Sequence, residues 1–198
     1  MSITLYVEGG AKGALATECR RGFAQFLEKA GLKGKMPRVV ACGPRNTAYH
    51  DFCIAKKLGK NAILLVDSEA PVADQPEPWN HVKNREGDGW EKPIGTNDDE
   101  LHFMVECMEA WFMADKAVLA DYFGSGFNEN DLPKQRNIEK ISKKDLYSAL
   151  SKASKKSRKG EYGKGKHSFQ ILGRICPDKV KGASPYADRF IKKMKEVC

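Results

Sequence analysis

Acidic side chains stand at the ends of two apolar segments of the sequence. Glu8 follows the apolar run 3–7, and Asp67 and Glu69 follow the run 63–66. Ligands of an open α/β sheet bind at the carboxyl ends of its parallel strands, so we expect these carboxylates to converge on one metal ion. Magnesium prefers hard oxygen ligands and is often held by carboxylates together with substrate phosphates. The pattern therefore predicts metal-dependent phosphate chemistry.

Glu109 is a fourth candidate for the same site. The segment 106–122 is apolar all round, which predicts a helix buried against the sheet. Glu106 and Glu109 lie three residues apart on it and are expected to share a face. Because an unpaired carboxylate is costly in apolar surroundings, Glu109 either pairs with a nearby Lys or Arg or joins the metal cluster.

Basic residues are concentrated in the second half of the chain. The formal net charge is +8, from 34 basic and 26 acidic residues, and Lys and Arg crowd the segment 134–166. The stretch 152–167 is either a flexible loop that follows a phosphate backbone or a solvated lysine-rich loop. Similarly, Gly9 and Gly10 either allow close approach to a phosphate or form a simple tight turn. The candidate nucleic-acid contacts are Arg45, Lys155, Lys156, Arg158, Lys159, Lys164, Lys166 and His167.

The hydrophobic periodicity predicts a parallel sheet. Apolar runs alternate with segments of helical spacing, and this order is typical of right-handed crossovers between parallel strands. The fold class is therefore α/β, a Rossmann-like, mainly parallel sheet flanked by helices. The predicted strands are 3–7, 37–42, 61–66 and 101–105, and the predicted helices are 14–30, 47–58, 106–122, 144–153 and 185–197.

The chain is expected to form one globular unit with two parts. Residues 1–123 form the α/β core, and residues 124–198 form a helical, basic extension packed on it. The segment 70–98 is rich in Pro, Gly and Asp and is too long for an ordinary connection, which indicates an insertion or flap. Trp79 and Trp90 within it are predicted to pack the segment onto the body rather than to stack on a base.

Composition excludes several classes of protein. The six cysteines form no CxxC pair, so they are expected to be reduced thiols in a cytoplasmic protein. The four histidines are scattered and predict no zinc site. The N-terminus has no secretion signal and no segment approaches a membrane span, so neither secretion nor membrane insertion is expected.

Three short motifs carry a resemblance to a known family. Val7-Glu8-Gly9 and Val66-Asp67-Ser68-Glu69, each at the end of an apolar strand, resemble the Toprim domain shared by topoisomerases, primases and the overcoming-lysogenization-defect nucleases. Met108-Glu109-Ala110-Trp111 resembles the Glu-x-Trp element of RloB-like Toprim proteins. The whole chain is similar to a bacterial domain-of-unknown-function family of that group, family 4276. Glu69 departs from the pattern, since the usual motif has Asp there.

The resemblance implies a Toprim-like fold and a set of roles. The strand-one glutamate and the strand-three acidic pair of that family bind divalent metal, which implies Mg2+ or Mn2+ at Glu8, Asp67 and Glu69, with Glu109 as a fourth ligand. Glu8 could alternatively act as a general base. In the related nucleases a lysine further along the chain contacts the phosphate in the transition state. Lys166 is our candidate for that role, although Lys164 and His167 are also close in sequence.

The resemblance further implies a divalent-metal-dependent nuclease acting on DNA or RNA in phage defence or against mobile elements. Its partner would be an ATPase of the AAA or ABC type on another chain, because no Walker A pattern occurs here. Two alternatives stay open. One is a non-catalytic nucleic-acid-binding subunit of an ATPase-containing complex, and the other is a metal-dependent phosphohydrolase or nucleotidyl transferase acting on small nucleotides.

Overall fold

The computed structural model describes residues 3–72 and 77–198 of the chain. Within these ranges four strands form one sheet in the order β2-β1-β3-β4, and every neighbouring pair is parallel. This confirms the predicted α/β fold, a parallel Rossmann-like sheet flanked by helices. The strands are β1 (Thr4–Val7), β2 (Arg38–Ala41), β3 (Ala62–Asp67) and β4 (Leu101–Met104). The helices are α1 (Gly13–Leu27), α2 (Arg45–Lys57), α3 (Pro78–Asn84), α4 (Lys116–Phe123), α5 (Lys143–Ser154), α6 (Lys164–Leu172), α7 (Pro177–Ala183) and α8 (Pro185–Val197).

Strand β3 lies between two apolar cores, one on each face of the sheet. All six of its residues are buried, as expected for a strand that is covered on both faces. Ile63 and Leu65 belong to the larger core, and Leu64 and Val66 belong to the smaller one on the opposite face. Phe26 of α1 packs in the larger core, and α2 covers the smaller one. This double cover fixes the position of the acidic residue that ends the strand.

The prediction of one regular helix over 106–122 is wrong. Glu106 has φ 49°, a 3-10 segment runs over Met108–Ala114, and α4 begins only at Lys116. The break occurs at Asp115, whose buried carboxylate accepts a hydrogen bond from the Cys176 amide and pairs with Lys179. Glu106 and Glu109 therefore do not share a face of one regular helix.

The described parts of the segment 70–98, residues 70–72 and 77–98, are partly helical and lie against the body. They contain α3, and Trp79 and Trp90 are each only 4% exposed, which confirms their predicted packing role. The Trp90 ring stacks on Tyr49 of α2 with a centroid distance of 4.5 Å. Residues 73–76 of the predicted insertion lie outside the described residues.

The second half of the chain shares the larger core with the sheet. Trp111 stacks with both Phe26 of α1 and Phe190 of α8, so the aromatic packing crosses residue 123. The predicted helix 185–197 is confirmed with its bounds, and Ser184 caps it by accepting from the Ala187 amide. Across the described ranges all six cysteines are free thiols, and no helix is long and apolar enough to cross a bilayer.

Candidate metal centre

Glu8, Asp67 and Glu69 come together at the carboxyl end of the sheet. One carboxylate oxygen of each lies within 4.8 Å of the other two. Two backbone features cause this convergence. Strands β1 and β3 are paired neighbours, and the Asp67 amide donates to Glu8 Oε2 at 3.1 Å. Three clustered carboxylates form an all-oxygen donor set that suits a hard divalent cation.

Asp67 is the most buried member of this acidic triad. It is 2% exposed, and its Oδ1 accepts from the Met108 amide at 2.8 Å. Burial raises the pKa of Asp67 well above its ordinary value, and the nearby carboxylates of Glu8 and Glu109 raise it further. A cation placed among these oxygens would relieve both effects.

Arg45 compensates part of this negative charge from inside the protein. Its guanidinium makes a two-point contact with the Asp88 carboxylate, at 3.0 and 2.7 Å. It also donates to the Asp67 carbonyl oxygen and lies 3.8 Å from Glu8 Oε2. Burial raises the pKa of Glu8, whereas Arg45 opposes the rise. The structure therefore places Arg45, a predicted nucleic-acid contact, behind the triad instead of on an exposed surface.

Glu69 is held by an unusual backbone arrangement. Glu69 and Glu106 are the non-glycine residues with positive φ in the described chain, at 60° and 49°. The Glu69 amide donates to the Glu106 carbonyl, and the Glu106 amide donates to Ser68 Oγ. Such left-handed conformations are strained for residues with a Cβ and persist only where the surroundings impose them. The side chain of Glu69 pairs with Lys143 Nζ at 2.5 Å.

Glu109 lies beside the triad without belonging to it. It is completely buried, and its Oε1 accepts from the Tyr162 hydroxyl at 2.9 Å. Burial raises the pKa values of Tyr162 and Tyr147, and Glu109 raises both further. In the described residues Glu109 forms no ion pair within 4 Å, and it is not among the three mutually close carboxylates. Its role as a fourth metal ligand stays a prediction.

Lys164 is the basic residue of the 152–167 stretch that reaches the carboxylates. Its Nζ lies 3.6 Å from Asp67 Oδ2. Burial alone would lower the pKa of Lys164, but Glu109 and Asp67 raise it, so the side chain stays charged. Lys166 points elsewhere, with its Nζ 3.5 Å from the Lys159 carbonyl oxygen. Lys166, the predicted catalytic lysine, is therefore not the lysine that pairs with Asp67, and its catalytic role stays a prediction.

The other predicted nucleic-acid contacts have mixed environments. Lys155, Lys156 and Arg158 are exposed in the turn between α5 and α6, whereas Lys159 Nζ lies 4.5 Å from the Tyr122 ring centre. His167 is buried, its Nδ1 accepts from the Gly163 amide, and burial lowers its pKa. The loop predicted over 152–167 is shorter in the structure because α5 extends to Ser154 and α6 begins at Lys164.

A cleft of about 410 Å³ opens beside the triad. Gly9 and Gly10 form part of its wall, and both have positive φ. A Cβ at Gly9 would lie 2.9 Å from the Phe169 ring, and one at Gly10 would lie 2.5 Å from the Cys19 Cβ. Close packing against α1 and α6 therefore explains both glycines. The cleft is lined by Glu8, Gly9, Gly10, Ala11, Leu15, Gly43, Pro44, Asp67, Met104, Met108, Lys164, Gly165, Ser168 and Phe169.

Three residues of the site, Lys143, Tyr162 and Asp88, were not predicted from the sequence. Ser142 followed by Asp145 is an N-cap signal that places Lys143 at the start of a helix, but it does not reveal which element that helix approaches. The contact between Arg45 and Asp88 joins α2 to the segment 70–98, and no local pattern predicts it.

Comparisons with known proteins identify one family. A model described as "Domain of unknown function (DUF4276)" matches residues 7–195, which is most of the chain. No curated protein and no solved structure matches.

Proposed function

The chain belongs to the DUF4276 family, and we propose that it is a divalent-metal-dependent nuclease that hydrolyses phosphodiester bonds in DNA or RNA. The observation that carries this proposal is the acidic triad at the carboxyl ends of two adjacent parallel strands, with Lys164 beside it. Phosphodiester hydrolysis needs charge neutralisation at the phosphate and an activated water, and this set of groups suits both needs.

The donor set fits Mg2+ or Mn2+, which Glu8, Asp67 and Glu69 would hold together. Such an ion, when bound, polarises a phosphate oxygen and lowers the pKa of water. Two basic side chains of the protein have further roles. Lys164 carries its positive charge to the edge of the triad, where it would neutralise a phosphate oxygen. Arg45 orients Glu8 from behind and keeps a positive charge near it.

A relation to Toprim nucleases is part of the proposal. The acidic residues follow β1 and β3 in the order that the Toprim pattern requires, and Trp111 follows Glu109 as in the Glu-x-Trp element. We extend the proposal to a role in defence against phage or mobile DNA, together with an ATPase supplied by a separate chain. The exposed Lys155, Lys156 and Arg158 support contact with a nucleic-acid backbone.

A second candidate function is a non-catalytic nucleic-acid-binding subunit. It is favoured by the two lysines at the triad, because Lys143 pairs with Glu69 and Lys164 pairs with Asp67. These ammonium groups compensate part of the carboxylate charge without any metal. Such a subunit would bind nucleic acid in a salt-dependent way and release no products.

The test is cleavage of supercoiled plasmid, single-stranded DNA and tRNA by the purified protein with Mn2+, Mg2+ or a chelator. Asp67→Asn keeps the shape of the buried side chain and removes its charge. Asp121→Asn is the matched control, because the Asp121 side chain is 81% exposed. We expect metal-dependent products from the wild type and the control but not from Asp67→Asn. Products that persist in Asp67→Asn would contradict the proposal, and binding without products would favour the second candidate.

A further inference from the structure

The cleft beside the triad has a polar end and an apolar wall. Glu8 and Asp67 lie at the polar end, whereas Leu15, Met108 and Phe169 supply carbon surface. Its volume of about 410 Å³ is that of a site for a small molecule. A purely electrostatic phosphate channel would have no use for such a wall.

The apolar wall is rigidly built where α1 meets α6. A Cβ at Gly22 of α1 would lie 2.5 Å from the Phe169 carbonyl oxygen, so the two helices touch backbone to backbone. The Phe169 ring in turn lies against Gly9. The wall is therefore preorganised by packing and needs no ligand to form.

We infer that this cleft holds one unpaired nucleotide of a single-stranded nucleic acid, with the base against the apolar wall and its phosphate towards Asp67 and Lys164. This inference rests on the proposed function for the identity of the phosphate. In a duplex the base faces are stacked and the base edges are paired, so a base cannot enter a pocket unless it leaves the stack. A base without a partner offers its face directly, and contact of that face with a protein wall tolerates any sequence.

Selectivity for unpaired substrate has to come from the cleft. Lys155, Lys156 and Arg158 are exposed and would attract any phosphate backbone, whether single-stranded or double-stranded. On our inference, the cleft contacts a base as well as a phosphate. Filling the cleft should therefore remove the preference for single strands and leave the attraction to the backbone.

Gly165 offers a way to fill the cleft without touching the carboxylates. It is exposed in α6, and a Cβ there would lie 3.8 and 3.9 Å from the two methyl carbons of Leu15, at ordinary contact distance. Gly165→Leu should thus fold and place its side chain across the space beside Leu15. Gly182→Leu is the matched control, since Gly182 is an exposed helical glycine of α7 with nothing within 4 Å of its Cβ position.

The experiment measures the fluorescence anisotropy of a labelled single-stranded oligonucleotide and of its blunt duplex, with Ca2+ replacing Mg2+. For the wild type and Gly182→Leu we expect the single strand to bind about tenfold tighter than the duplex, the size expected from contact with one base. For Gly165→Leu we expect the single strand to bind only as well as the duplex, with duplex affinity unchanged. Leu15→Phe, which fills the same space from the opposite side, is the second variant if Gly165→Leu loses helical content.

Equal affinity of the wild type for single strand and duplex would overturn the inference. So would cleft-filling variants that behave like Gly182→Leu, or a nucleoside monophosphate that competes as tightly as the oligonucleotide. The two proposals fail separately. A single-strand preference that depends on Gly165, without cleavage products, contradicts the nuclease alone, whereas metal-dependent cleavage of single strands and duplexes at equal rates contradicts the cleft assignment alone.

Discussion

Lys164, the first residue of α6, places its ammonium nitrogen 3.6 Å from Oδ2 of Asp67, the last residue of β3. The contact joins the basic second half of the chain to the sheet at the point where the carboxylates gather. It also brings a positive charge to the acidic site, and the proposed function uses this charge to neutralise a phosphate oxygen.

Lys164→Met should lower the cleavage rate by about a hundredfold, because removal of one preorganised charge from a developing negative centre has effects of that size. Lys164→Arg should recover part of the rate. Lys166→Met is the comparison, because the ammonium group of Lys166 lies near the Lys159 carbonyl oxygen and not at Asp67. We expect its loss to weaken substrate binding and to leave the rate at saturating substrate unchanged. Single-turnover rates at saturating substrate distinguish the two lysines. A larger loss of rate in Lys166→Met than in Lys164→Met would contradict this assignment.

Asp67→Asn should stabilise the metal-free protein while abolishing its response to metal. Burial and the neighbouring carboxylates raise the pKa of Asp67, so its charged form is unfavourable in the folded state. The amide oxygen of Asn can still accept from the Met108 amide, so we expect the free energy of unfolding to increase. Urea unfolding with and without Mn2+ measures both effects. A variant that is less stable than the wild type in chelator would show that the charge is compensated.

The pH dependence of stability follows from the raised pKa values of Glu8 and Asp67. Glu8 and Asp67 have raised pKa values in the folded state, so the folded protein binds more protons than the unfolded chain above their ordinary values of 4.5 and 3.8. Their contribution to stability is therefore present at low pH and decreases as the pH rises through the raised pKa values. The advantage of Asp67→Asn over the wild type should be largest at neutral pH and shrink towards pH 4. Urea unfolding of both proteins over this range tests the sign.

The triad was predictable because it depends on local signals. An apolar run that ends in a carboxylate marks the end of a strand. Because parallel strands place their carboxyl ends at the same edge of a sheet, the ends of β1 and β3 lie close together. The lysine that pairs with Asp67 was not predictable to the residue. Several lysines occupy 152–167, and the one that faces Asp67 is fixed by the close approach of α6 to Gly22, which is a contact between distant segments.

The helix predicted over 106–122 was wrong for a different reason. Apolar residues on every side of 106–122 are compatible with any buried conformation, so periodicity could not distinguish a regular helix from the strained turn at Glu106 followed by a 3-10 segment. The backbone follows tertiary hydrogen bonds there, from Met108 to Asp67 and from Glu106 to Ser68. Those partners lie about forty residues away in the sequence, beyond the reach of any local pattern.

Lys143→Met should tighten metal binding. The Lys143 ammonium group pairs with Glu69 Oε2 and therefore competes with a divalent cation for the same oxygen. We expect the affinity for Mn2+ to rise about fivefold, since a partly exposed ion pair is worth up to about 1 kcal/mol. Lys144→Met is the control, because Lys144 is the exposed neighbour. Isothermal titration calorimetry gives both affinities, and weaker binding in Lys143→Met would mean that Lys143 positions Glu69 for the metal.

The contributions of Arg45 and Asp88 to the free energy of unfolding should be strongly coupled. The Asp88 side chain is 2% exposed and that of Arg45 is 9% exposed. Removing one partner leaves the other with a single weaker ion pair, from Asp88 to Arg85 at 3.3 Å or from Arg45 to Glu8 at 3.8 Å, so we expect a cost of about 2 kcal/mol. Arg45→Met and Asp88→Asn should each destabilise the protein, and the double variant should lose much less than their sum. Trp90 lies 4.5 Å from the Arg45 guanidinium, and Trp79 belongs to the same segment, 70–98. Because these are two of the three tryptophans, a red shift of the total tryptophan fluorescence reports whether the segment undocks when the ion pair is removed. Urea unfolding of the four proteins gives the coupling energy. Additive losses would mean that the aromatic stacking on Tyr49, rather than the ion pair, holds this segment behind the triad.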